Sequence, residues 1–298
     1  MGDSVHIAVD TGGTFTDVIS STEREQVHHF KLLSSGVIRM QVTSVDGPWT
    51  RCASCPCEGY DFTGFHAGRA GSTDRGRVTK CDGERGLCLE GMPSPAEGDV
   101  IDLWSGETAC VLGARIVTGT PLDDPLPGIK LRLGTTRGTN ALLENQPAPS
   151  AFFTTRGFGD LLRIGTQQRP DIFAFPVVIP PPMHTCSVEV DERIDADGAV
   201  LEPLDEESLH RAAEEVLKSG IRSAAVALLH AWKNPSHEQR VEELLRECGF
   251  EEVSISSGLE PTIGLVSRAE AAVVNAALQP VLAGFLDDVR EQLDRGRE

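Results

Sequence analysis

Hydrophobic and polar positions follow two patterns along this chain. Short alternating or continuous apolar segments indicate strands, and after residue 150 they alternate with amphipathic segments at 204–220 and 235–248 that indicate helices. This order predicts a layered α/β sheet with right-handed crossovers. The predicted strands span residues 7–9, 18–20, 26–33, 99–103, 129–133, 151–155, 187–193, 223–229 and 253–256.

A last helix is predicted from Arg268 onward, with Pro280 as a local interruption. One of its faces is apolar and requires a partner surface. Because no later part of this sequence could cover that face, we expect it to be partly exposed and the chain to associate, as a homo-oligomer among other arrangements. The apolar face consists of Val273, Val274, Ala277, Leu278, Val281, Leu282 and Phe285.

Residues 46–98 break the regular pattern, because they are rich in Gly, Cys, Arg, Ser and Pro and have no sustained apolar period. One interpretation is a zinc-binding insert in which His66 could complete a cysteine site. The cysteine spacing matches no common zinc module, so an insert that is disordered or arises from a disturbed reading frame is favoured. We therefore expect an irregular, poorly packed insert. Its cysteines are Cys52, Cys55, Cys57, Cys81 and Cys88.

The most informative polar segment follows the strand at 7–9. Its two carboxylates, Asp10 and Asp17, flank a glycine turn with three threonines. Backbone N–H groups of such a turn can approach phosphate oxygens, and Asp10 could hold Mg²⁺ directly or through water. An ordinary β-hairpin would need only the two glycines, so we favour phosphate contact, with Asp10 and Asp17 as catalytic candidates. The candidate ligand-binding residues are Thr11, Gly12, Gly13, Thr14 and Thr16.

A second polar glycine loop lies between the predicted strand at 129–133 and a helix predicted to start at Ala141. Thr139 or Asn140 would be its N-cap. A strand, a glycine loop and a helix N-terminus together form an anion-binding geometry, although a capped turn would have the same sequence. The presence of the first loop in the same chain favours ligand binding by the second loop over a simple capped turn. The candidates here are Gly134, Thr135, Thr136, Gly138, Thr139 and Asn140.

A third polar segment, 163–173, could recognise the carboxylate or amide of a substrate, but it would suit a solvated loop equally. Its candidate substrate residues are Arg163, Thr166, Gln167 and Arg169.

The composition narrows the range of possible binding partners. The net charge of −18 argues against nucleic acid and anionic membranes, so a nucleotide would be met by backbone amides, a metal or single basic residues. No apolar stretch approaches a membrane span and no signal peptide is evident, so we expect a cytoplasmic protein.

Together these segments resemble the N-terminal region of the hydantoinase A/5-oxoprolinase family. The resemblance rests on the loops at 10–17 and 134–144 and on three further segments, 155–165, 189–193 and 224–238. Residues 164–167 and 169–173 favour the 5-oxoprolinase branch. The resemblance covers nearly the whole chain apart from about 46–98.

The resemblance implies an actin-like ATPase fold of the α/β class, related to ribonuclease H, with a mixed sheet and flanking helices. It implies ATP-dependent opening of a cyclic amide, either 5-oxoproline to glutamate or a hydantoin, with Mg²⁺ and K⁺ assisting. A non-catalytic nucleotide-binding module is the alternative, because such folds also serve as switches and scaffolds.

Family members continue into a second actin-like half or a second hydantoinase-type subunit, so we expect this chain to be incomplete as an enzyme. The expected organisation is an N-terminal domain at 4–45 and 99–180, divided by the irregular insert at 46–98. A second α/β part is expected at 187–260, and 261–298 would begin the ATPase half.

Overall fold

The computed structural model describes residues 5–21, 27–53, 59–144, 146–168, 173, 175–176 and 181–294. The chain divides into two compact units, one formed by residues 1–140 with 285–298 and the other by residues 141–284. The units meet at residues 140–141 and 284–285, whereas the domain boundaries were expected at 180–187 and 260–261.

The first unit contains a four-stranded mixed sheet in the order β10-β1-β2-β3. Strand β1 runs parallel to β10 and antiparallel to β2, which continues antiparallel into β3. Helix α1 (Ala109–Thr118) packs on its buried face, where Val111 and Leu112 join Ile7 and Val9 in the core. The strands are β1 (Val5–Thr11), β2 (Phe15–Ser21), β3 (Val27–Leu33) and β10 (Ile129–Thr135).

A closed six-stranded barrel, in the order β4-β5-β8-β7-β6-β9, occupies the region between β3 and α1. The expectation of an irregular, poorly packed insert at 46–98 is therefore wrong for residues 46–53 and 59–98. Most of its strands are short and bury only some of their residues, so apolar residues such as Val78 and Leu87 recur without a long apolar run. The strands are β4 (Val37–Asp46), β5 (Trp49–Ala53), β6 (His66–Arg69), β7 (Gly76–Asp82), β8 (Gly86–Glu90) and β9 (Val100–Trp104).

Metal binding by the barrel has no support among its described residues, since none of their His, Cys, Asp and Glu side chains form a group of three or more that could hold an ion. Cys52, Cys81 and Cys88 lie on three different strands. Cys55 and Cys57 lie outside the described residues.

The second unit is built on a parallel sheet in the order β12-β11-β15-β16, as the alternation of elements predicted. Helices α4 and α5 and the end of β12 contribute to one core, and Phe152 packs with α7 in another. The strands are β11 (Ser150–Thr155), β12 (Cys186–Val190), β13 (Arg193–Ile194), β14 (Val200–Glu202), β15 (Ser223–Ala227) and β16 (Glu252–Ile255). The helices are α3 (Leu161–Ile164), α4 (Glu206–Lys218), α5 (Ser236–Cys248) and α6 (Ser256–Leu259).

Helix α7 (Leu265–Asp294) continues through Pro280, contrary to the predicted interruption. Val273 and Ala277 are buried within the second unit and Phe285 within the first, so the expected exposure of the apolar face is wrong for these three residues. Earlier elements supply the partner surfaces: Phe152 and Ala225 pack with Val273.

Helix α7 is also long and apolar enough to cross a membrane by length and composition, with a mean hydropathy of 1.4 over its best window. The statement that no apolar stretch approaches that length is therefore wrong. A single such helix is weak evidence for a membrane span, because a core helix passes the same test and α7 contributes Ala269, Ala272 and Ala276 to a core.

Candidate functional site

Asp10 and Asp17 lie side by side on the exposed face of the first sheet. They are directly opposite each other in the antiparallel pairing of β1 and β2. Residues opposed in this way share a face, with Cβ atoms about 5 Å apart. Among the described residues, no hydrogen bond or ion pair engages the Asp10 carboxylate, which is exposed. Asp10 therefore lies at the end of its strand with a carboxylate that no described residue engages.

Asp17 is held by two side chains of the neighbouring strand, His29 and Lys31. His29 Nε2 lies 3.1 Å and Lys31 Nζ 3.3 Å from the same oxygen, Asp17 Oδ1. The hydrogen bond from His29, followed by the interactions with Lys31, holds the pKa of Asp17 below its ordinary value. Sequence reasoning missed His29 and Lys31. Their position at every second residue of β3, opposite β2, is the signal that could have found them.

The two glycine loops lie against each other. The Thr136 N–H donates to Thr11 O at 3.0 Å, and the Thr135 hydroxyl donates to the same oxygen at 3.3 Å. A Cβ at Gly13 would lie 3.0 Å from Asn140 Nδ2, and a Cβ at Gly134 would lie 3.2 Å from Asp10 Oδ1. Gly13 and Gly134 therefore permit a close approach that any side chain would disturb.

The first loop is a tight hairpin turn, in which the Gly12 N–H donates to Phe15 O at 2.9 Å. Strand alternation directs Thr11 and Thr16 to the buried face, away from Asp10 and Asp17. The Thr16 hydroxyl bonds to Ser34 at 3.0 Å, so it stabilises the loop from within. Thr14 remains exposed at the tip of the turn.

Helix α2 (Arg137–Leu143) begins four residues earlier than predicted, so Thr139 and Asn140 lie within it and are not its N-cap. The Arg137 N–H donates to the Thr135 hydroxyl at 3.1 Å, and Asn140 N–H donates to Thr136 O at 2.8 Å. The threonine hydroxyl thus supports the helix start before the apolar residues begin. Gly138 is buried and Thr139 is exposed.

The predicted substrate segment belongs to the second unit. Arg163, Thr166 and Gln167 are exposed, and Gln167 has a positive φ of 59°. Arg169 lies outside the described residues. The substrate role of these side chains stays a prediction.

A buried polar network at the carboxyl ends of the parallel strands was also missed. Glu192 accepts from the Thr155 hydroxyl and lies 2.7 Å from His237 Nδ1. The neighbouring Glu238 accepts from Leu228 N–H at 2.8 Å and pairs with the buried Arg268 at 3.5 Å. The adjacent His-Glu pair at the start of a helix is the signal in the sequence.

The fold is that of an actin-like ATPase. A nucleotide-free acetone carboxylase, from a study of ATP-dependent acetone carboxylation, superposes with a TM-score of 0.61 at 16% identity, over 99% of this chain and 35% of that chain. An ATP-dependent caprolactamase from Pseudomonas jessenii superposes with a TM-score of 0.60 at 22% identity, over 97% and 34%. The predicted fold class is confirmed.

The sequence places the chain within one family of that class. Residues 127–249 match the hydantoinase/oxoprolinase N-terminal region. The 5-oxoprolinase 1 of Arabidopsis thaliana is 39% identical over an alignment of 236 positions, which covers 68% of this chain and 19% of that protein. The chain belongs to the hydantoinase/oxoprolinase family, as its motifs predicted. It spans about a fifth of the length of the curated relatives it matches.

Proposed function

We propose that this chain supplies phosphate- and metal-binding loops to an ATP-dependent enzyme that opens a cyclic amide, with 5-oxoproline as the favoured substrate and glutamate as the product. The observation that carries the proposal is the exposed carboxylate of Asp10, which no described residue engages, beside two glycine loops that touch each other. Both loops follow the carboxyl ends of adjacent parallel strands, β1 and β10. Ligands of open α/β sheets bind at that edge.

The donor set at Asp10 fits magnesium. Mg²⁺ usually binds one or two carboxylates, keeps several waters and bridges substrate phosphates. Asp10 offers an exposed carboxylate that no described residue engages, whereas Asp17 is already paired with His29 and Lys31. Asp10 would therefore hold the ion, which when bound would neutralise phosphate charge. Asp17 would position His29 and Lys31 beside it, so the two carboxylates would have different roles.

The residues around Asp10 would bind and orient the nucleotide phosphates. Gly12, Gly13 and Gly134 leave the backbone accessible, and Thr14 offers an exposed hydroxyl at the turn. Lys31 carries a positive charge on the same face. These groups would stabilise charge that develops during phosphoryl transfer, which depends mainly on positioning and electrostatics.

Coupling of ring opening to ATP hydrolysis would overcome the low reactivity of the cyclic amide. An unstrained lactam is a poor electrophile. Transfer of the γ-phosphoryl group of ATP to the amide oxygen, with release of ADP, would activate the ring carbon for attack by water. The ring C–N bond would then break, with the nitrogen taking up a proton, and a second water would hydrolyse the resulting acyl phosphate to a carboxylate and phosphate. A hydantoin presents the same amide chemistry, so pocket shape would decide between the two substrates. Further substrate-binding and nucleotide-binding residues are proposed to lie in the longer protein.

A matched glycine pair tests the proposed phosphate site. Gly134→Ala would push the Asp10 carboxylate by a few tenths of an ångström, whereas a Cβ at Gly128 meets nothing within 4 Å. By isothermal titration calorimetry, we expect Gly134→Ala to weaken Mg²⁺-ATP binding about threefold or more, with Gly128→Ala unchanged. Equal affinities in the two variants would contradict the site. Stimulation of ATP turnover by 5-oxoproline or by hydantoin, in an assembly that contains this chain, would identify the substrate.

A further inference from the structure

A cavity of about 250 Å³ lies in the first unit, next to the buried face of its sheet. Thr11 lines it, and strand alternation directs Thr11 away from the face that carries Asp10 and Asp17. The beginning of α1, the turn after β3 and the end of α7 form the other walls. The cavity is therefore a second concave site beside the glycine loops, and the proposed nucleotide function does not use it.

Arg137 brings a positive charge to this cavity. Its guanidinium lies 4.5 Å from the centroid of the Phe285 ring, and both residues line the space. Stacking on an aromatic face leaves the in-plane N–H donors free. Among the described residues, no hydrogen bond or ion pair engages those donors.

Among the described residues, Glu107 is the one carboxylate that lines the cavity, and it is already paired with an arginine. Glu107 accepts from Arg115 Nε at 2.9 Å and from Arg115 Nη2 at 2.7 Å, and both side chains are largely buried. In a bidentate pair of this kind, the guanidinium of Arg115 balances the negative charge of Glu107. The uncompensated charge of the cavity is therefore positive, although the chain as a whole carries −18.

The inner wall offers donors and no anion. The Thr108 hydroxyl oxygen is buried and has no hydrogen-bond partner among the described residues. Burial raises the pKa of the Cys110 thiol, so this group is neutral near pH 7. A buried polar atom without a partner is costly, and a bound ligand or water usually satisfies it.

We propose that this cavity binds a small oxyanion, the carboxylate or phosphate group of a small molecule, with Arg137 and Thr108 as its principal donors. A volume of 250 Å³ admits such a group together with a few attached atoms. The site is separate from the Asp10 face, so the proposal goes beyond the proposed function and does not depend on it.

The cavity is linked to the first glycine loop. The Thr11 hydroxyl lies 3.3 Å from Cys110 Sγ, and the Ser34 hydroxyl donates to Gly12 O at 2.8 Å. Thr11, Ser34 and Cys110 all line the cavity. An anion bound there would contact the residues that support the loop from behind.

Calorimetry with inorganic phosphate and with acetate, at constant ionic strength set by chloride, tests the proposal and separates the two anion chemistries. We expect saturable binding of at least one of them with a stoichiometry of one. Arg137→Gln should weaken it about tenfold because a charge-assisted contact is lost. Thr108→Val, which keeps the shape, should weaken it about threefold. Arg132→Gln removes an exposed arginine of β10 that does not line the cavity and should leave the affinity unchanged.

Three outcomes would overturn the proposal: no saturable binding of either anion, wild-type affinity in both Arg137→Gln and Thr108→Val, or equal weakening by Arg132→Gln. A competition experiment distinguishes the proposed anion site from the nucleotide site. We expect Asp10→Asn to reduce Mg²⁺-ATP binding and leave anion binding intact. Loss of both in that variant, with displacement of phosphate by ATP in the wild type, would show that the cavity belongs to the nucleotide site.

Discussion

Asp10 and Asp17 occupy opposed positions on neighbouring strands, but their surroundings make them chemically different. The Asp17 carboxylate contacts His29 and Lys31, whereas the Asp10 carboxylate has no partner among the described residues. A metal ion competes poorly for a carboxylate that is already paired. Sequence spacing alone could not separate the two residues, because the partners of Asp17 come from β3.

His184 gives a prediction about pH at the residue scale. Burial lowers its pKa from the ordinary 6.5, and its Nδ1 has no hydrogen-bond partner among the described residues. Below about pH 6.5 the unfolded chain therefore binds a proton that the native chain does not, so the free energy of unfolding should fall as the pH falls through that range. Urea unfolding of the wild type and His184→Gln between pH 7 and 5 measures this dependence.

His184→Gln can keep the contact that His184 Nε2 makes with the Ser187 hydroxyl at 2.9 Å. It removes the titrating ring, so its stability should depend less steeply on pH than that of the wild type. If the free energy of unfolding depended equally steeply on pH in the two proteins, His184 would titrate alike in the native and the unfolded chain.

At the scale of elements, the barrel depends on tight turns between short strands. Gly86 opens β8 with a φ of 101°, and a Cβ there would lie 2.3 Å from Thr50 O. Gly83, in the same β7–β8 turn, faces open space and has no positive φ. We expect Gly86→Ala to lower the free energy of unfolding by about 2 kcal/mol or more, since it combines strain with a backbone clash.

Gly83→Ala serves as the control and should change stability by less than about 0.5 kcal/mol. Chemical unfolding of both variants measures the difference. Comparable stabilities would mean that β5 and β8 do not approach closely at Thr50. Such a result would weaken the assignment of a closed barrel to this region.

The sequence predicted the elements whose signals are local. The strand at Ile7–Val9, the glycine turn after it and the amphipathic helix α4 can each be recognised from a single window. The barrel could not, because closure pairs β4 with β9, more than fifty residues later, and each strand alone is weakly apolar. The start of α2 was missed because the Thr135 hydroxyl, which supports it, precedes the apolar residues.

At the scale of the whole molecule, the chain spans about a fifth of the length of its curated relatives. Phosphoryl transfer requires a site that surrounds the phosphates and excludes water. We therefore expect the 298-residue chain alone to bind ATP weakly and to show no ATP hydrolysis stimulated by 5-oxoproline or hydantoin. A coupled ADP-release assay measures this, and robust stimulated turnover by a monodisperse chain would contradict it.

The central claim is that Asp10 holds the magnesium ion of a bound nucleotide, and the magnesium dependence of ATP affinity tests it most directly. Titrations with ATP in magnesium and in a chelator should show tighter binding with magnesium for the wild type. Asp46→Asn, which changes an exposed carboxylate at the end of β4, should behave like the wild type. Asp10→Asn should lose the magnesium-dependent gain of about tenfold. An undiminished gain in Asp10→Asn would contradict the account.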